Sequence, residues 1–130
     1  HDPQWYAEVN RRLNLLRPSA HIEYVLAEDS TTYTSFKALS HDQFDLILID
    51  GPWRADCLLN CMHLLKKGGV IYLDNTDAES SSGEPGEIDA AAQTLQKFIK
   101  EKQGTLERFT DFAPGCVFAS EGYLAMVKSS

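Results

Sequence analysis

Residues 43–77, QFDLILIDGPWRADCLLNCMHLLKKGGVIYLDNTD, constrain the fold more than any other stretch of the chain. Phe44 to Ile49 is a near-continuous apolar run broken only by Asp45. Such runs suit a parallel strand covered on both faces. The run ends at Asp50, and Gly51-Pro52 forces a turn. Ala55, Leu58, Leu59, Met62 and Leu65 then recur at helical spacing, which predicts an amphipathic helix with those residues inward. Lys66 and Lys67 fall in its expected last turn, where cations suit the helix dipole, and Gly68-Gly69 is the expected stop. Val70 to Leu73 reads as a second strand, ending on Asp74 and Asn75. Two parallel strands joined by a helix form a crossover. Both strand ends then reach the same edge of the sheet, where α/β folds bind ligands.

The 130 residues predict one α/β domain over 1–130, large enough for a core without disulfides or a structural metal. The net charge of −7 disfavours a nucleic-acid partner, which a basic stripe would attract. The three cysteines, Cys57, Cys61 and Cys116, complete no zinc set and read as reduced thiols, which places the protein in the cytoplasm. No run approaches the ~18 apolar residues of a membrane span. The chain begins at His1 without a methionine, and material upstream is expected to have been removed.

Taken in order, Asp2-Pro3 opens a helix with Trp5, Tyr6, Val9, Leu13 and Leu16 on its apolar face, ended by Arg17-Pro18. His21–Leu26 reads as a short strand, 27–32 as a polar turn and Tyr33–Leu39 as a short helix. Residues 78–86, AESSSGEPG, form a long polar loop, mobile or a lid. Glu87–Lys102 is a helix with Ile88, Ala91, Ala92, Leu95, Phe98 and Ile99 inward, stopped by Gly104. Leu106–Phe112 and Tyr123–Lys128 predict a closing antiparallel hairpin, with turns at Ala113-Pro114-Gly115 and Ser120-Glu121-Gly122.

This order resembles the later two-thirds of a class I S-adenosylmethionine-dependent methyltransferase. FDLILID with GPWR looks like that family's fourth strand and acceptor-side loop. LLKKGGVIYLDN looks like its helix, glycine turn and fifth strand, and the last two strands like its antiparallel sixth and seventh. HDPQWYAEVNRRL looks like the helix after its second strand. The resemblance implies a Rossmann-like methyltransferase sheet, N-terminally incomplete and mostly parallel, with a C-terminal antiparallel hairpin. Its first strand, glycine-rich loop, first helix and second strand have no counterpart, and the eight glycines never form G-x-G-x-x-G. The chain alone is therefore not expected to hold the cofactor or to be active, and strand 21–26 lacks its usual neighbours.

The resemblance implies methyl transfer from S-adenosylmethionine to a small-molecule acceptor, to oxygen rather than nitrogen. It implies Asp50 as the catalytic residue and cofactor contacts from Glu28, Asp29, Ser30, Asp50 and Trp53. It further implies a divalent cation such as Mg²⁺ held by Asp50, Asp74 and Asn75, as in catechol-type O-methyltransferases; such a metal would acidify the acceptor hydroxyl. That subgroup carries a lysine base after the first Asp. Here Trp53 and Arg54 follow, and arginine is no base near neutral pH. Asp50-Gly51-Pro52-Trp53 also resembles the D-P-P-W/Y loop of amino-methyltransferases, with Gly in place of one Pro. The blander readings are a capped turn at Asp50, a loop start at Asp74-Asn75 and packing for Trp53. His41 reads as a surface residue and His63 as a partly buried one. Phe112, Pro114 and Tyr123 could wall an acceptor pocket. The rival for the whole chain is a catalytically inactive Rossmann-like binding module. A homo-oligomer is left open.

Overall fold

The computed structural model describes residues 2–16, 19, 21–36, 39, 41, 43–78, 86–112 and 117–128. The Arg17-Pro18 helix stop, most of the 78–86 loop, the Ala113-Pro114-Gly115 turn, the pocket role of Pro114 and Cys116 lie outside them. The chain divides into two compact units, His1–Ser35 and Phe36–Ser130.

The first unit holds α1 (Pro3–Leu16) and a single helical turn, α2 (Ser30–Tyr33). Asp2 caps α1, its carboxylate accepting from the backbone N–H of Gln4 at 2.8 Å and of Trp5 at 3.0 Å. The expected apolar face is present in sequence but not sealed: no α1 residue is buried, and Trp5 and Leu16 are mostly exposed. His21–Leu26 forms no strand. An isolated strand leaves its backbone N–H and C=O groups without a ladder partner. Tyr24 instead stacks on Tyr6, with ring centroids 4.9 Å apart. The expected helix over Tyr33–Leu39 is displaced: α2 ends at Tyr33, and Thr34 caps it.

The second unit contains β1 (Phe44–Ile49), α3 (Arg54–Cys61), a 3₁₀ turn (Met62–Leu64), β2 (Leu65–Leu73), α4 (Glu87–Glu101), β3 (Thr105–Phe112) and β4 (Ala119–Met126). Its four-stranded sheet has the order β1-β2-β4-β3. β1 and β2 are parallel, and β4 runs antiparallel to both β2 and β3, so three of the four strands point the same way. This is the expected mostly parallel sheet with its terminal hairpin.

The central helix is shorter than its periodicity suggests. It gives way to the 3₁₀ turn, and Lys66 to Gly69 join the strand instead of closing the helix. The reason is pairing: Phe44 sits opposite Leu65, and Leu46 opposite Val70. One residue of β1, Asp45, thus stands against four of β2, Lys66 to Gly69, a stretch that includes Gly68, whose φ of 76° is open to glycine. Regular pairing begins at Val70, where the sequence places it.

The inward face of α3 is Arg54, Cys57, Leu58 and Cys61, while Leu59 is largely exposed. α4 follows its pattern, burying Ile88, Ala91, Ala92, Leu95 and Ile99. These helices pack on each other. Leu58, Leu64, Ile71, Leu73, Ile88 and Leu95 are the largest fully enclosed side chains. Fully burying each such residue contributes about 1.5–3 kcal/mol.

Candidate functional site

The parallel pair brings Asp50 and Asp74-Asn75 to one sheet edge. The Asp74 N–H donates to the Ile49 carbonyl at 3.1 Å, locking the two strand ends together. Asp74 lies two residues after Tyr72, so both project to the same side of the strand. The Tyr72 hydroxyl donates to Asp74 Oδ1 at 2.8 Å. Burial, this bond and the nearby carboxylates push the phenol up to about 12, so Tyr72 remains a donor at neutral pH. Its ring stacks on Phe109 at 5.7 Å. A Cβ at Gly122 would meet the Tyr72 hydroxyl at 2.9 Å, so that position has room only for glycine.

Asp50 is raised above the ordinary carboxylate range, first by burial and then by hydrogen bonding with, and the charge of, Asp74. Arg54 opposes the shift. A carboxylate made more basic in this way is suited to accept a proton from a hydroxyl.

Arg54 is the residue that spacing alone failed to place. It starts α3, four positions after Asp50, and is 6% exposed. Its Nη2 donates to Asn75 Oδ1 at 3.1 Å and reaches Asp50 Oδ1 at 3.5 Å. Its Nε is buried and unpartnered. Trp53, before it, has φ 54° and ψ 44°, a left-handed conformation costly for a bulky side chain. Asn75 is left-handed too, at φ 52°. Strained backbone on both sides of the guanidinium marks positions held by their surroundings.

These contacts bear on the divalent-cation expectation. Two carboxylates and an amide are hard oxygen donors of the right kind. As arranged, however, Asn75 Oδ1 and Asp50 Oδ1 are directed at a guanidinium, and Asp74 Oδ1 at a phenol. A fixed cation among the donors repels a dication, so the set does not fit one in this arrangement. Among the described residues, no group of three or more His, Cys, Asp or Glu side chains could hold a metal.

The loop after β2 is tied to β4. Thr76 N donates to the Glu121 carbonyl at 2.8 Å, Thr76 Oγ1 to Glu121 Oε1 at 2.9 Å, and Glu121 N to Asp77 Oδ1 at 3.0 Å. Arg108 pairs with the other oxygen of the buried Glu121 carboxylate. The N-terminus of α3, which has no side-chain cap of its own, receives one from α4: Ala55 N donates to Glu87 Oε1 at 2.8 Å.

Glu28, Asp29 and Ser30 belong to the first unit. The Asp29 carboxylate accepts from Thr32 N at 2.9 Å and Thr32 Oγ1 at 2.8 Å, which holds it below the usual range. It is thereby committed to capping α2. Phe112 is exposed and Tyr123 is buried in the core. A separate cavity of about 540 Å³ opens where β1 and β2 begin, lined in part by His41, His63, Lys67, Lys102 and Lys128. His63 is exposed there, with its ring edge-on to that of His41 at 4.7 Å.

No family model matches the chain, and no curated protein matches it. Solved structures do. An O-methyltransferase from Bacillus cereus in complex with SAH superposes with a TM-score of 0.69 at 17% identity, over 98% of this chain and 60% of that one. A cofactor-bound protein from MTB gives 0.62 at 21%, over 100% and 60%. A proposed O-methyltransferase from Klebsiella pneumoniae gives 0.54 at 20%, over 95% and 57%. The chain therefore spans about three-fifths of the length of these proteins. No helix among the described residues is long and apolar enough to cross a membrane. The chain has the class I S-adenosylmethionine-dependent methyltransferase fold, over the part that carries its last strands.

Proposed function

We propose that the protein transfers a methyl group from S-adenosylmethionine to an oxygen of a small acceptor, and that the Asp50–Asp74 edge is the acceptor side of its active site. One observation carries this reading. Parallel strands on a fold shared with O-methyltransferases end side by side on Asp50 and Asp74, and the second raises the proton affinity of the first. Bound S-adenosylmethionine supplies an electrophilic methyl group. Asp50 takes the acceptor's hydroxyl proton, and Asp74, fixed by Tyr72, keeps Asp50 basic. Trp53, in the turn before α3, is assigned to contact with the acceptor. The described residues include no glycine-rich cradle for a nucleoside, so no cofactor-binding step is assigned to them.

Calorimetry with S-adenosylhomocysteine on the full-length protein tests the reading. Saturable binding supports an enzyme. Absence of binding supports the inactive Rossmann-like module instead.

A further inference from the structure

The proposed reaction leaves Arg54 without a task, although Arg54 is the most enclosed charged side chain among the described residues. Burying a guanidinium is costly unless it is paired and hydrogen-bonded. Here one Nη reaches Asn75 Oδ1 and Asp50 Oδ1, on the ends of two different strands, while Nε stays without a partner. A buried donor left unsatisfied calls for an explanation. The contacts that Arg54 does make are to two of the three residues whose oxygens would otherwise suit a hard dication.

We propose that Arg54 is a positioning residue, a cation built into the chain that stands in place of a divalent metal between the ends of β1 and β2. Its single charge bridges Asn75 Oδ1 at 3.1 Å and Asp50 Oδ1 at 3.5 Å. Unlike a metal, it stays when chelator is added. The proposal rests on the methyltransferase reading only in calling this edge the acceptor side. Metal binding is measured without turnover, so the two can fail separately.

The test is Mn²⁺ titration of the protein followed by electron paramagnetic resonance. Wild type is expected to bind Mn²⁺ at this edge no tighter than about 1 mM. Arg54→Met, which removes the charge but keeps an apolar stem, is expected to gain affinity of at least about tenfold. Adding Asp74→Asn to that variant should abolish the gain, and Arg54→Lys, which restores a charge, should keep Mn²⁺ out. A merely structural arginine would not produce this pattern. Micromolar Mn²⁺ binding by wild type that is lost on Asp74→Asn would overturn the proposal, and needs no variant at Arg54 to fold. A folded Arg54→Met protein that gains no affinity would overturn it as well.

Discussion

The two faces of the sheet differ sharply. On one, Ile49, Ile71, Leu73, Tyr123 and Ala125 are buried, in the unit where α3 and α4 supply the helical layer. On the other, Leu46 and Leu48 of β1 are 60% and 61% exposed. Leu48 pairs with Tyr72, which pairs in turn with Leu124, so this face is an apolar row continuing across three strands. Parallel sheets are ordinarily covered on both faces. Among the described residues one face of the second unit is therefore a finished core, while the other leaves Leu46 and Leu48 exposed and Tyr72 and Leu124 half-buried, although the same strands build both. Apolar content in a strand specifies that both faces want cover, and only the helices present decide which face receives it.

Substitutions should divide along the same line. Ile71→Ala, on the covered face, should cost about 2–5 kcal/mol in chemical denaturation, since the enclosed site cannot fully collapse. A loss under about 1 kcal/mol would mean that the core is not packed as described. Arg108→Ala, which deprives the buried Glu121 carboxylate of its ion pair, should cost about 1–3 kcal/mol by the same measurement. Leu48→Ser, on the open face, should stay within about 0.5 kcal/mol. A loss above about 2 kcal/mol would show that this face is covered in the working protein.

The thiols report on the covered face through reactivity. Burial pushes Cys57 up to about 11 and Cys61 up to about 12. Only thiolates alkylate, so both should react with iodoacetamide at pH 8 at least about tenfold more slowly than a free thiol, as read by peptide mass. Ordinary rates would mean that α3 opens readily.

The smallest effect lies in α1. Hydrogen bonds from Arg11 and then Arg12 hold Glu8 down to about 2, from an ordinary 4.5. A depressed carboxylate adds stability above its unfolded value, and that contribution is lost as pH falls through the folded one. The advantage of wild type over Glu8→Gln should therefore be present at pH 6 and fade between pH 4.5 and 2 in helix content by circular dichroism. Because these side chains are exposed, the difference should be slight, and a large one would mean that α1 is packed against something.

Local periodicity made much of this fold legible. The α4 pattern, the strand pairing from Val70 onward and the antiparallel closing pair follow from spacing, whereas Ser120-Glu121-Gly122, expected as a turn, lies within β4. The convergence of Asp50 with Asp74 follows from parallel connection alone. What spacing could not show depends on contacts distant in sequence. Arg54 meets Asn75 across 21 positions, and Glu87 caps α3 across 32. Lys66 and Lys67 fit a helix end equally well until Leu65 is seen paired with Phe44. His21–Leu26 has strand-like residues but forms no strand. Asp50 and Arg54 lie four apart, but Asp50 ends β1 and Arg54 starts α3, so helical spacing does not predict their pairing. Considered only as a possible base, Arg54 looked like a defect; considered as a cation, it completes the edge.

The central claim is that Asp50 takes the acceptor's proton in a methyl transfer. It is tested most directly by giving the full-length protein S-adenosylmethionine labelled in its methyl group, with a panel of small hydroxylated acceptors, and comparing wild type with Asp50→Asn. Wild type is expected to give labelled acceptor, and the variant a rate lower by about 100-fold or more. Equal label transfer by the two proteins would contradict it.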